Sequence, residues 1–146
     1  MLHDTVASVS TFTGNLVRTI LVVEDEDLIR MFLTEFLQDC GYNVLEAENV
    51  ARAKDVLTDQ PVDLVFSDVN MPGNETGFDL EKWVRRHYPD TKVLLTSGYP
   101  HCPESTMALM EPLLPKPYTC AAALRRFQAL SQARSAMATT SIQNKK

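Results

Sequence analysis

The sequence predicts an α/β domain in which a parallel five-stranded sheet is covered by helices on both faces. Three observations point there. Short apolar, β-branched runs recur along the chain, each is followed by a stretch with apolar residues at three- and four-residue steps, and several runs are apolar at consecutive positions, as in strands buried on both faces. Strands that alternate with helices require parallel pairing and right-handed crossovers.

The first run, "RTILVVED", is a central strand ending in acids. Ile29, Phe32, Leu33, Phe36, Leu37 and Cys40 then recur at helical spacing up to Gly41, so all six are expected to face inward on a helix closed by a glycine. "NVLEA" is the second strand, and Asn49 caps a helix that turns Ala53, Val56 and Leu57 inward before Pro61. "VDLVFSD" is the third strand. After the turn "MPGNETG", the residues Phe78, Leu80, Trp83, Val84 and His87 mark a third helix, which Pro89 stops, and "TKVLLTS" supplies the fourth strand. In "GYPHCPESTMALMEP" only Glu104 to Met110 can be helical between prolines, so a short or mobile element is expected. "PLLPK" is a fifth strand whose prolines place it at a sheet edge, and a last helix from about Thr119 buries Ala123, Leu124, Phe127 and Leu130.

The 146 residues suit one domain with a core of its own. It is assigned to residues 16–131, between an N-terminal extension, 1–15, and a polar C-terminal tail, 132–146. A net charge of −5 disfavours direct contact with nucleic acid or anionic lipid, and no window approaches the apolar length of a membrane span. The three cysteines, Cys40, Cys102 and Cys120, have no metal-type or redox spacing. Reduced thiols and a cytoplasmic location are the expectation.

In sheets of this kind, sites form at the carboxyl ends of the strands. The first strand ends there in Glu24 and Asp25, the third in Asp68, the fourth in Thr96 and Ser97, and the fifth in Lys116. Three converging carboxylates repel one another and normally require a cation. Oxygen donors favour Mg²⁺, which keeps waters and takes one or two carboxylates together with phosphate oxygens. Lys116 and the Thr96 hydroxyl are placed to hold phosphoryl oxygens.

Over residues 16–131 the chain resembles the receiver domain of response regulators in two-component signalling. "VVEDED" resembles the acidic pair of the family, "FSDVNMPG" its phosphoacceptor aspartate followed by a Met-Pro turn, "LLTSGY" its switch threonine, and "PKPY" its Lys-Pro. "LLTSGYP" is also similar to a subgroup whose fourth strand reads Phe-Ala-Thr-Gly-X-Tyr, except that this chain, at Leu95-Thr96-Ser97-Gly98-Tyr99, has Leu in place of the usual aromatic start.

The resemblance implies a flavodoxin-like fold with strand order 2-1-3-4-5. It implies that Asp68 accepts a phosphoryl group from a histidine kinase or a histidine phosphotransfer protein and forms an acyl phosphate. Asp25, Asp68 and the Asn70 backbone carbonyl would bind Mg²⁺, with Glu24 acting largely through metal-bound water. Lys116 would pair with the phosphoryl group, and its bond to Pro117 would be cis. Ser97 and Gly98 would leave the phosphate open to water. The family's rotating aromatic falls at Leu113, which puts Tyr99 forward as a substitute in the switch with Thr96. A homodimer and an output protein partner are compatible with the resemblance; the output protein, like the kinase, is not identified by it.

Taken singly, each motif has a plain structural explanation. Glu24 and Asp25 can be solvated loop acids, "SDVNMPG" a turn with an aspartate cap, Thr96 a strand-end hydroxyl that satisfies backbone, and Lys116 an exposed side chain. Trp83 reads as packing, the Arg85-Arg86 and Arg125-Arg126 pairs as solvated faces, and His3, His87 and His101 are too scattered for a relay. The coincidence of four motifs favours a stand-alone phosphorylation-dependent switch rather than a metabolic enzyme. The alternatives are a phosphate sink or a binding module whose phosphorylation is irrelevant. An aspartyl-phosphate phosphatase would usually show Asp-X-Asp, and here "DVN" places Asn70 at the second acid.

Overall fold

The structure, a computed structural model, describes residues 17–98 and 113–131. Strands β1 (Thr19–Val23), β2 (Asn43–Ala47), β3 (Leu64–Asp68), β4 (Lys92–Ser97) and β5 (Leu113–Pro115) form one parallel sheet in the order β2-β1-β3-β4-β5. The described helices are α1 (Asp27–Asp39), α2 (Val50–Asp59), α3 (Gly77–His87) and α4 over residues 120–131. Tyr99, Cys102, the helix expected within Glu104–Met110, the extension 1–15 and the tail 132–146 lie outside the described residues.

The two-residue period of the strands sorts side chains into two layers. Leu21, Val23, Val65, Val93, Leu95 and Leu113 face a cluster that includes Ala53, Leu57, Leu80 and Val84 of α2 and α3. Their neighbours Ile20, Val22, Leu64, Phe66, Leu94 and Leu114 face the opposite cluster, with Leu33 and Leu37 of α1 and Ala123 and Phe127 of α4. Every strand from β1 to β5 except β2 is therefore apolar on both parities because both faces are covered. β5 is an edge strand, as its prolines require.

Local chemistry sets the helix ends. The Asn49 side chain accepts from Arg52 N at 2.7 Å to start α2. Thr76 and Asp79 form a reciprocal capping box at the start of α3. α1 closes on Gly41 at φ +99°, where Gly41 N donates to Gln38 O (2.9 Å) and Tyr42 N to Leu37 O (3.1 Å), a Schellman ending. Thr119 Oγ1 accepts from Ala122 N at 3.0 Å to start α4.

One expectation fails along α1. Ile29, Phe32 and Cys40 are exposed and Phe36 is only half-buried, while Thr34 occupies an inward position between Leu33 and Leu37. The apolar stripe of α1 is wider than the strip of sheet it rests on, so one edge of the stripe stays outside. His87 is likewise exposed, stacked on Trp83 with ring centroids 4.5 Å apart. Among the described residues no helix is long and apolar enough to cross a membrane.

Candidate functional site

Backbone pairing alone brings the predicted residues to one rim. Val23 is in register with both Ala47 and Ser67, Asp68 with Thr96, and Ser97 with Pro115. The ladder then runs on past the strands through Glu24 N to Ala47 O (3.0 Å), Val69 N to Thr96 O (2.9 Å) and Lys116 N to Ser97 O (2.9 Å). Glu24, Asp68, Thr96 and Lys116 thus leave neighbouring strands at the same level. The chain turns to opposite sides of β1 on its way to β2 and β3, so the acids flank the point where strand order reverses.

Glu24, Asp25 and Asp68 each bring a carboxylate oxygen within 4.8 Å of the other two. Glu24 and Asp68 are buried and Asp25 is exposed. Lys116 Nζ reaches Asp68 Oδ2 at 2.8 Å. Burial pushes the Glu24 carboxyl above its ordinary value; the Glu26 amide, 3.0 Å from Glu24 Oε2, opposes this, and Asp25 and Asp68 add to it. For Lys116 burial works against the charge, yet the hydrogen bond to Asp68 and the charges of Asp68, Glu24 and Glu26 outweigh it, so the ammonium titrates above the usual lysine range. Burial, with Glu24, Cys120 and Asp68 adding to it, also pushes the Tyr118 hydroxyl well up, which keeps it protonated.

Two features of this set suit a bound cation and an oxygen-rich ligand. One lysine faces three carboxylates, an imbalance that suits a hard divalent cation bound through oxygen, as Mg²⁺ is. Thr96 is 3% exposed, and its Oγ1 has no hydrogen-bond partner. A buried orphan hydroxyl is costly unless something supplies its partner. Residues and cation are chemically matched.

The other predicted residues divide. Asn70 N lies 3.4 Å from Asp68 Oδ1, at the outer limit of a hydrogen bond, and its side chain is exposed. Ser97 is buried, and Gly98 is exposed with the Lys116 Cβ 3.7 Å from where its own Cβ would stand. The Lys116–Pro117 bond is cis. Leu113 is buried in β5, paired with Leu95.

Two residues that shape the site escaped the sequence reading. Gly77 opens α3 directly against the phosphoacceptor candidate's backbone: a Cβ there would collide with the Asp68 carbonyl oxygen and come within 2.8 Å of Val69 Cα. Its amide donates to Val69 O at 2.8 Å. The available signal was a glycine at a helix start already capped by Thr76, where helix propensity gives no reason for one. Arg30 donates to the Glu24 carbonyl at 2.7 Å while pairing with Asp27 (2.7 Å) and approaching Glu46 (3.4 Å). It holds the β1–α1 turn in place, and nothing in the sequence sets it apart from an ordinary charge on the α1 surface.

Beside the acids lies an apolar groove of about 630 Å³. Leu28, Ile29 and Phe32 of α1 form one wall, and Lys116, Pro117 and Tyr118 form the other. Lys116 therefore belongs both to the groove and to the acidic cluster.

Residues 20–126 match the family model described as the response regulator receiver domain. The chain is 41% identical to the sensor kinase CckA of Brucella abortus over 83 residues, which are 56% of this chain and 9% of that protein. It is 32% identical over 82 residues to the response regulator receiver protein CpdR of the same organism, 56% of this chain and 68% of CpdR. Among solved structures, the chemotaxis response regulator CheY4 of Vibrio cholerae superposes with a TM-score of 0.68 at 31% identity, covering 77% of this chain and 98% of that one. TrrA of Thermotoga maritima, solved in complex with Mg²⁺-BeF, gives 0.69 at 30% identity with the same coverage. The chain belongs to the response-regulator receiver family.

Proposed function

We propose that this chain is a phosphorylation-dependent signalling switch in which Asp68 accepts a phosphoryl group. The observation that carries the proposal is the joint placement of the Asp68–Lys116 ion pair, the acidic cluster and the unpartnered Thr96 hydroxyl on one rim. The Mg²⁺-BeF complex of the relative TrrA agrees with it. Asp25, Asp68 and the Asn70 carbonyl would hold Mg²⁺, with Glu24 reaching it through water. When bound, the ion would offset the negative charge of the carboxylates and of the phosphoryl oxygens.

An Asp68 carboxylate oxygen forms a bond to phosphorus as the phosphorus–nitrogen bond of a donor phosphohistidine breaks, and the electron pair of that bond returns to the imidazole nitrogen. Lys116 Nζ follows the charge from the carboxylate to a phosphoryl oxygen. The Thr96 hydroxyl donates to a second phosphoryl oxygen and gains the partner it lacks. Most of the catalysis is positioning and electrostatics, which these rigid strand ends supply. Water later cleaves the acyl phosphate and restores the carboxylate.

The donor is a histidine kinase or a histidine phosphotransfer protein. It must present its imidazole at Lys116, and the groove walled by Leu28, Ile29 and Phe32 offers its helix an apolar seat there. Output follows from the altered surface around Thr96, not from turnover of a metabolite. The test is mass spectrometry of the chain after incubation with acetyl phosphate and Mg²⁺. A single hydroxylamine-labile phosphoryl adduct is expected in the wild type and none in Asp68→Ala. An adduct that persists in the variant, or none in the wild type, would reject the assignment.

A further inference from the structure

A second charged contact ties a loop of the site to a helix that supplies none of its ligands. Residues 69–75 connect Asp68 to the Thr76 cap of α3 and include Asn70. Backbone bonds fasten the ends of the loop, Val69 N to Thr96 O at 2.9 Å and Gly77 N to Val69 O at 2.8 Å. Between them Asn70, Pro72, Gly73 and Asn74 are exposed, and Gly73 turns the chain at φ +97°. One side chain reaches across to the loop from outside. Lys54 Nζ, on α2, meets Glu75 Oε2 at 2.7 Å, with the two side chains 26% and 43% exposed. The same ammonium stands 5.5 Å from the ring centroid of Trp83, the chain's single tryptophan, which is packed against the core. An ammonium partly withdrawn from water, with a carboxylate on one side and an aromatic face on the other, is held more firmly than an exposed pair.

We propose that Lys54 is a positioning residue for the metal arm of the site: by clamping Glu75 it holds the loop that presents the Asn70 carbonyl. This rests on the Mg²⁺ reading above. A loop ordered in advance lowers the ordering cost that cation binding would otherwise carry. The coupling is reciprocal, so a cation that needs the ordered loop also tightens the clamp, and Trp83 senses it.

The test is a calorimetric titration of the full chain with MgCl₂, comparing wild type, Lys54→Met, Glu75→Gln and the double variant, with tryptophan emission followed in parallel. Each single variant should bind Mg²⁺ about fivefold more weakly. The double variant should be no weaker than either single, because the two residues act as one unit. Lys54→Arg should recover most of the affinity. The emission change on adding Mg²⁺ should be lost in Lys54→Met and Glu75→Gln, whereas a merely stabilising pair would leave affinity and emission response as they are. Wild-type affinity in the single variants, or losses that multiply in the double, would overturn the clamp while leaving the proposed function standing. A wild type that takes up no Mg²⁺ would overturn both.

Discussion

The two faces of the sheet draw on alternate residues of the same strands, yet their helices close them to different degrees. On one face α2 and α3 begin with side-chain caps and bury Val50, Ala53, Val56, Leu57, Leu80 and Val84. On the other, α1 begins without a side-chain cap and leaves Leu28 75%, Met31 50% and Phe32 63% exposed. Both helical patterns are amphipathic, so the difference lies in what each stripe meets. The first meets the sheet and its neighbouring helix. The second overhangs the sheet beside the acidic cluster, where Leu28, Ile29 and Phe32 form the seat proposed above for the histidine partner. Both faces bury a core of their own, but only the second leaves an apolar edge of a helix open to solvent.

The largest effect should separate these roles directly. Leu80→Ala, at a side chain with no exposure, should cost ~2–5 kcal/mol of stability. Phe32→Ser should stay within ~0.5 kcal/mol, as surface substitutions do. Urea unfolding with unchanged m-values would compare them. Phosphotransfer from a cognate histidine partner should reverse the ranking, with Phe32→Ser strongly impaired although it still accepts phosphoryl from acetyl phosphate. A Phe32→Ser variant as unstable as Leu80→Ala would erase the distinction between the faces.

A smaller loss is expected where the closed face meets the site. Gly77→Ala would drive a methyl group into the Asp68 carbonyl, so either α3 or the end of β3 must shift. Overpacking of this kind costs ~1–3 kcal/mol. Because the displaced backbone belongs to the phosphoacceptor candidate, the variant should also accept phosphoryl from acetyl phosphate more slowly, measured on protein kept well below its unfolding midpoint. Normal labelling with normal stability would show that the contact at Gly77 is slack.

Much of this was legible because strand chemistry is one-dimensional. Consecutive apolar residues in "ILVV" and "LVF" require cover on both faces, and parallel strands place their carboxyl ends at one rim, which gathers Glu24, Asp68, Thr96 and Lys116 without any contact being known. Asn49 and Gly41 were readable for the same reason, since each cap is a local device. What was not legible depended on neighbours. Periodicity marks Phe32 and Leu33 equally as apolar but cannot say which one the sheet covers. Gly77 looked like part of a turn because its constraint comes from Asp68, nine positions earlier and packed against it only after folding. Arg30 was invisible as a brace for Glu24 because its acceptor is a backbone carbonyl, which every residue carries.

The smallest expected effect concerns how firmly the closed face is fastened at the start of α3. The Thr76 amide donates to Asp79 Oδ2 at 2.8 Å and, against the opposing effect of burial and with the Thr76 hydroxyl and the charges of Lys82 and Lys54 assisting, holds the Asp79 carboxyl below its ordinary value. A lowered value in the folded chain means that the ionised form stabilises the fold. That contribution is complete above the unfolded aspartate value of about 3.9 and disappears as pH falls through the lower folded value. Asp79→Asn keeps an oxygen that can accept from Thr76 N but removes the charge. Its thermal midpoint should therefore lie slightly below that of the wild type at pH 6, and the gap should close as pH falls from 4 toward 2. A gap that stays constant over that range would mean that the charge of Asp79 contributes nothing and that the capping box fastens α3 through its hydrogen bonds alone.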